Sequence, residues 1–400
     1  MLTYSSHRTQ ETTYLDERDR NDFFRPSTSF IAEYCNYVAS RYNIENIVEK
    51  STVTSVIYKP DETSESGIFT LQTSTGAKHA LTVVFACGPA TPPTIPLTCK
   101  FCHKNPKGVS HAFTPHPSPT SSLPDHVLHK IQAGTTTSLA VIGGELTSAQ
   151  VTCAAVHAKV SKVFHFMRGP MKVKHFDADL SWVGKYRNFQ QAGFWRADSD
   201  EERFEMITEA RGGGNFTPEY KKLVLDLVKS GHVEMFEKTE IMDAEWDEDI
   251  HMWKLLTEPK VEGLCVDHIV YATGTQADFK SIPALQPLRE MAPIESVNGL
   301  PCVTNYLQWN EGIPFFFTGR FAGLRLGPFA ANLEGARTGA ERVAGKLAEF
   351  FQKENSDSEC GSDSYSEKAE VDMRRLGLGL GSQFDVLASC NDCAEDSDSE

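Results

Sequence analysis

Among 400 residues there is no apolar run near the roughly 20 needed to cross a bilayer. The opening residues, Met1-Leu-Thr-Tyr-Ser-Ser-His-Arg8, lack the apolar core of a secretory signal. We therefore expect a chain with no membrane span that works in the cytoplasm. Positive charge is scarce: 39 Lys and Arg stand against 54 Asp and Glu, a net −15, which argues against nucleic acid as a partner. Much of that imbalance is local, since residues 353–400 hold thirteen acidic and four basic side chains. Such a tail is too polar to bury itself and is predicted to be disordered. A disulfide framework is missing as well. The ten cysteines are scattered through predicted strands and helices, as in a chain of reduced thiols.

One further absence concerns glycine. Nothing between Met1 and Phe85 reads as a strand followed by the G-x-G-x-x-G turn that cradles a pyrophosphate. Such a turn does stand at Ser138-Leu-Ala-Val-Ile-Gly-Gly-Glu-Leu-Thr-Ser-Ala-Gln150, where a short apolar run meets Gly143 and Gly144 and then a small-residue helix start at Thr147 and Ser148. The first glycine permits the tight turn, and unpaired amides at the helix start favour an anion. Glu145 occupies the position where a second glycine would let the phosphates approach. At about 5 Å and an effective dielectric near 20, its carboxylate would cost a phosphate on the order of 3 kcal/mol.

A chain of this length, 40% hydrophobic, has room for two cores. One supersecondary pattern occurs twice. Strand-like runs at 53–58, 68–73 and 81–87 end in Ala86-Cys-Gly88-Pro89, and runs at 233–236, 239–246, 251–257 and 265–271 end in Ala272-Thr273-Gly274. The repetition points to duplicated dinucleotide-binding units. The fold class predicted is α/β, with two Rossmann-like domains, the first truncated at its N-terminus and discontinuous. The boundaries expected are 1–98 with 300–352 for the first domain and 138–299 for the second, with 99–137 as a crossover linker and an insertion at 171–216.

Other stretches set smaller expectations. Residues 29–40 carry apolar positions at helical spacing and predict an amphipathic helix packed on the body. The linker holds Cys99-Lys-Phe-Cys-His103 with His111 and His116 downstream; a loop that happens to contain them is preferred over haem or zinc, so no metal is expected. Within the insertion, Gly212-Gly-Gly214 reads as a hinge rather than an anion nest. Thr217 and Pro218 open a helix running to about Lys229. Gly327 and Pro328 are expected to start the last long helix, after a buried strand at Phe315-Phe-Phe-Thr-Gly319.

Taken in their order, Phe24-Arg-Pro-Ser-Thr28, Ala86-Cys-Gly-Pro89, Ser110-His111, Val141-Ile-Gly-Gly144, Ala272-Thr-Gly274, Thr318-Gly-Arg320 and Leu326-Gly-Pro328 make the chain resemble the two-dinucleotide-domain flavoproteins. Within these it is similar to the flavin-containing and N-hydroxylating (ornithine- or lysine-type) monooxygenases, over roughly residues 23–350. The resemblance implies FAD in the first domain and NADPH in the second, and a small-molecule substrate such as an amine. It places Gly143, Gly144, Thr147 and Ser148 at the NADPH pyrophosphate, with Ala272, Thr273 and Gly274 at the exit beside the nucleotide. Arg168, where a Rossmann protein sets its NADP-selecting arginine, would meet the 2′-phosphate with Lys172 and Lys174 as helpers. Pro26, Ser27, Gly88, Gly319, Gly327 and Pro328 would border FAD. No residue is assigned as acid, base or nucleophile. The missing first turn and Glu145 leave open a second reading, a catalytically impaired scaffold that binds a partner or NADP without turnover.

Overall fold

The computed structural model describes residues 4–5, 23–24, 28–60, 67–88, 93, 95, 108–114, 123–183 and 185–358. Pro26, Ser27, Cys99, Cys102, His103, His116 and the acidic tail from 359 lie outside them. Helix α1 spans Thr28–Arg41. Strands β1 (Val53–Lys59), β2 (Ile68–Thr73), β3 (Gly76–Ala80) and β4 (Val83–Phe85) follow. Then come β5 (Val109–His111), α2 (Asp125–Gln132), β6 (Ser138–Ile142), α3 (Leu146–His157) and β7 (Lys162–Met167). The insertion contributes α4 (Arg187–Arg196) and α5 (Asp200–Arg211), and α6 (Pro218–Lys229) returns to the sheet. Strands β8 (Val233–Glu237), β9 (Glu240–Asp247), β10 (Met252–Glu258), β11 (Cys265–Val266) and β12 (His268–Tyr271) complete the second unit. The chain closes with α7 (Gln286–Met291), β13 (Gln308–Asn310), β14 (Ile313–Phe317), the single turn α8 (Gly323–Leu326) and α9 (Leu333–Ser358).

Five strands form one parallel sheet in the order β8-β7-β6-β12-β5. Its central strands β6 and β12 read as nearly continuous apolar runs because both faces are covered. One face carries Ala149 and Ala155 of α3, Val224 of α6 and Val127 of α2 packed on Leu139, Val141 and Val163. On the other face Trp253, Leu255 and Val266 of the antiparallel ladder β9-β10-β11 meet Ala140, Phe166 and Ile269. Asp267, 1% exposed, stitches the junction: it accepts from the Ser138 amide at 2.7 Å and pairs with Lys130 at 2.5 Å.

The duplication read from the sequence is present as topology. β1-β2-β3 is an antiparallel three-stranded sheet whose chain passes through Leu81 and Thr82 into β4, just as β9-β10-β11 passes through Asp267 into β12. The run expected as one strand over 81–87 is thereby divided: Gly76–Ala80 belongs to the ladder and Val83–Phe85 to a parallel pair with β14. The two units then differ. β12 lies between β6 and β5, whereas β4 pairs with β14 on one side only, and no strand among the described residues takes its other edge. Val84 on that edge is 43% exposed.

Three expectations are corrected. The stretch 99–137 is not simply a linker, since β5 is an edge strand of the parallel sheet and α2 packs on its face. Helix α1 forms where its periodicity places it, but Phe30, Tyr34 and Tyr37 on its apolar positions are exposed. The last helix begins at Leu333, because the Asn332 side chain accepts from the Glu334 and Gly335 amides and caps it there; Gly327 instead ends α8 with φ +83°. The expected α6 is found with Thr217 at its N-cap and Pro218 in its first turn. Among the described residues no helix is long and apolar enough to cross a membrane.

Candidate functional site

The Gly143 turn is built from its neighbours inward. The Gly143 amide donates to Phe166 O at 3.0 Å and the Ala272 amide to Ile142 O at 2.7 Å, which locks the ends of β6, β7 and β12 together. A Cβ on Gly143 would stand 2.5 Å from Ala272 O and 3.0 Å from the Ser148 Cβ, so glycine is required by close approach. Beneath the turn lies His165, fully buried, whose Nε2 is 2.9 Å from Gly143 O and whose Nδ1 is 3.1 Å from Thr152 Oγ1. With the ring neutral, its Nε2–H donates to the carbonyl and Nδ1 accepts from the hydroxyl. Sequence reasoning passed over His165, because its alternation in β7 marks only an inward-facing residue.

Burial holds the His165 imidazole down at about 4, and its bond to Gly143 opposes that shift only in part. A histidine kept neutral in the fold contributes stability that is complete above its unfolded value near 6.5 and is lost as the pH falls from there towards about 4. Between pH 7 and pH 5 this amounts to about 2 kcal/mol. Urea midpoints at the two pH values should therefore drop for the wild type and drop less for His165→Gln, which keeps an amide donor and cannot take up a proton. Equal drops in both proteins would contradict the assignment.

Helix α3 starts at the turn with Glu145 at its N-cap and no side-chain cap, and the Ser148 hydroxyl is turned back to donate to Glu145 O at 2.6 Å. Thr147 is half-buried in the same first turn. Opposite stand Arg320 and Arg211. Arg320 donates through Nη1 to Thr275 Oγ1 at 2.8 Å, and Arg211 through Nη1 to Pro328 O at 3.1 Å. Burial pushes the Arg320 guanidinium below its usual value; the Arg211 charge adds to this and the Glu145 carboxylate works against it. Arg320 thus has the acidic Glu145 on one side and a second cation, Arg211, on the other, near the start of a helix without a side-chain cap, where a positive charge suits an anion.

The glycine loop after α5 lies over this mouth. A Cβ on Gly214 would come within 2.5 Å of Glu145 Cγ and 2.9 Å of Gly144 O. Lys172 and Lys174, expected beside Arg168, instead hold the loop: Lys172 Nζ donates to Gly212 O at 3.0 Å, and Lys174 Nζ to Ala210 O and Arg211 O at 3.2 and 2.9 Å. They satisfy the carbonyls at the end of α5, where a cation also complements the helix dipole. Arg168 itself is exposed directly after β7.

At the exit of β12, Ala272 is buried, and Thr273 Oγ1 lies 3.4 Å from His111 Nε2. Burial lowers the His111 value, and a bond with the Gly274 backbone raises it. His111, flagged by the sequence as a possible ligand, is thus engaged at the exit of β12, and no cluster of metal-ligating side chains occurs among the described residues. Gly88 is exposed beyond β4, and Gly319 follows β14 with φ +65°. Gly327 is faced by Phe194 and Trp182, whose ring atoms would lie 3.8 Å from a Cβ there. The cavity beside these rings and Pro328 measures about 20 Å³. That holds a water molecule. On this side of Gly327 and Pro328 an isoalloxazine ring would need Trp182 and Phe194 displaced.

No family model matches the sequence, and no curated protein matches it. Solved structures do match by shape. An ornithine hydroxylase from Pseudomonas aeruginosa aligns with a TM-score of 0.60 at 15% identity, over 83% of this chain and 78% of its own. An ornithine N-hydroxylase from Kutzneria sp. 744, in a structure with FADred, NADP+ and L-orn, gives 0.61 at 14%, over 83% and 79%. The FAD-bound cadaverine monooxygenase of the desferrioxamine pathway from Erwinia amylovora gives 0.58 at 14%, over 82% and 76%. At these identities the likeness is one of fold alone, shared with these hydroxylases and this monooxygenase.

Proposed function

We propose that a chain with this fold works as a FAD- and NADPH-dependent oxidoreductase of the monooxygenase type, placing one oxygen atom on a soft nucleophile such as an amine. The observation that supports it most is the Gly143 turn, packed on Ala272 O at the start of α3 without a side-chain cap, with Arg320 held by Thr275 just beyond the exit at Ala272, Thr273 and Gly274. Gly143 and Gly144 with the first turn of α3 would receive the NADPH pyrophosphate, and the two guanidinium groups would offset its charge. Arg168, exposed at the end of β7, would meet a 2′-phosphate. When bound, the nicotinamide and flavin supply the electron transfer and oxygen chemistry. The chain's own part is to orient them and to keep water out, with Thr275 holding Arg320 across the junction between the second unit and the segment after β14.

A second reading, a scaffold that binds NADP without turnover, is favoured by the edge of β4 that no strand among the described residues pairs and by Trp182 and Phe194 over Gly327. Titration of purified protein with NADPH and with FAD, followed by fluorescence and by flavin absorbance, separates the two. The enzyme reading expects a yellow preparation, or one that turns yellow with FAD, and NADPH binding that weakens about tenfold in Arg320→Gln. A colourless protein that ignores FAD but binds NADPH supports the scaffold. If Arg320→Gln leaves NADPH binding unchanged, Arg320 is not part of the phosphate site.

A further inference from the structure

Away from the Gly143 turn, the insertion and the C-terminal helix enclose a cavity of about 490 Å³, within the range of about 300 to 1,000 Å³ usual for small-molecule pockets. Trp195 of α4 and Tyr306 of the turn before β13 supply its aromatic surface, and both rings are about half exposed. Its cations are unequally matched. Arg203 and Arg325 both pair with Asp200, so three of the charges form a closed set at the back. Lys346 lies 4.7 Å from the Tyr306 ring centroid and pairs with Glu349, which is well exposed.

Arg342 is the exception. It lies 5.6 Å from the Trp195 ring centroid, and its Nη1 donates only to the carbonyls of Asn305 and Arg325, at the long distances of 3.4 and 3.3 Å. No carboxylate among the described residues pairs with it, since neighbouring Glu341 is engaged by Arg337 at 2.8 Å. A half-buried guanidinium beside a second arginine, without a counter-charge, is costly to hold unless an anion arrives. The same opening holds two half-exposed rings, each with a cation over one face, and a planar group can stack on the ring surface left free.

We propose that this cavity binds a nucleoside phosphate: the phosphate on Arg342 and Lys346, the base against Trp195 or Tyr306. The features that select this class are the unpaired arginine for the anion, the aromatic pair for the base and a volume that admits both. The site shares no residue with the dinucleotide turn and stands whether or not the reading of that turn holds. It places a second nucleotide on the outer face of α9, where its presence would tie the insertion to the helix.

Calorimetric titration of the intact protein with ADP, adenosine and inorganic phosphate tests it. The expected result is that ADP binds more tightly than either fragment. Arg342→Gln should weaken ADP at least tenfold, and Trp195→Ala, a change at an exposed ring, should weaken it several-fold, both without altering NADPH binding at the Gly143 turn. Arg320→Gln should leave ADP binding at this cavity as it is. The proposal is overturned if ADP does not bind the wild type, if it binds no better than phosphate, or if Trp195→Ala and Arg342→Gln both bind ADP as the wild type does. It is equally overturned if ADP binding is lost in Arg320→Gln, which would put the ligand at the turn.

Discussion

Gly143→Ala is expected to lower the unfolding free energy by about 3 kcal/mol, near the upper end of what over-packing costs. The added methyl would meet Ala272 O at 2.5 Å and the Ser148 Cβ at 3.0 Å. Neither neighbour can retreat easily. Ala272 is held through its amide to Ile142, and Ser148 through two bonds to Glu145 O. Relief therefore requires β12 to move away from β6, which also shifts Thr273 and Gly274. The adjacent Gly144→Ala is the control, since a Cβ there finds only Met167 Cγ at 4.0 Å. Urea denaturation of the two variants should differ by about 2 kcal/mol or more, because only the first introduces a contact with fixed backbone. Equal losses would show that the turn is looser than its hydrogen bonds indicate.

Glu145→Gln is expected to tighten NADPH binding about tenfold. Sequence alone sets an upper figure near a hundredfold, for a carboxylate about 5 Å from a phosphate in a medium of dielectric near 20. In the structure Glu145 is exposed, so solvent and salt screen its charge and the effect falls. The same substitution removes the acidic neighbour of Arg320, leaving both guanidinium groups to the ligand. The gain should shrink as ionic strength rises. Glu145→Gly, which restores the glycine of the usual turn, should show a similar gain. Unchanged affinity in both variants, measured at low salt, would mean that the phosphates do not pass this side chain.

Much of the architecture was legible because it rests on local pattern. The strand pairs at 53–59 with 68–73 and at 240–247 with 252–258, the helix after Thr217 and the buried run at Phe315 to Phe317 all follow from alternation, capping or unbroken apolar sequence. The errors lie where tertiary context decides. A three-residue strand such as Val109–His111 has no periodicity to detect and exists because β12 offers it an edge. The start of α9 was misplaced because Gly327 and Pro328 imitate a helix entrance, while the operative cap is Asn332 five residues on. At the candidate site, glycines and the Ala-Thr-Gly exit could be read directly. Arg211 and His165 could not, because their roles depend on contacts with residues 117 and 22 positions distant in the chain.

The aromatic side chains of the insertion do more than cover Gly327. Trp182, Phe194 and Ile207 belong to the same buried cluster as Phe69, Trp309 and Phe315 to Phe317, so residues from the insertion complete the interior of the first unit. The insertion leaves the second unit after β7 and returns to it through α6. One polypeptide excursion therefore starts and ends in the second unit while its aromatic rings pack into the first, so the first half cannot lose its interior without exposing the insertion. Movements that pull the insertion away with the second unit must therefore strip aromatic rings from the first unit's interior.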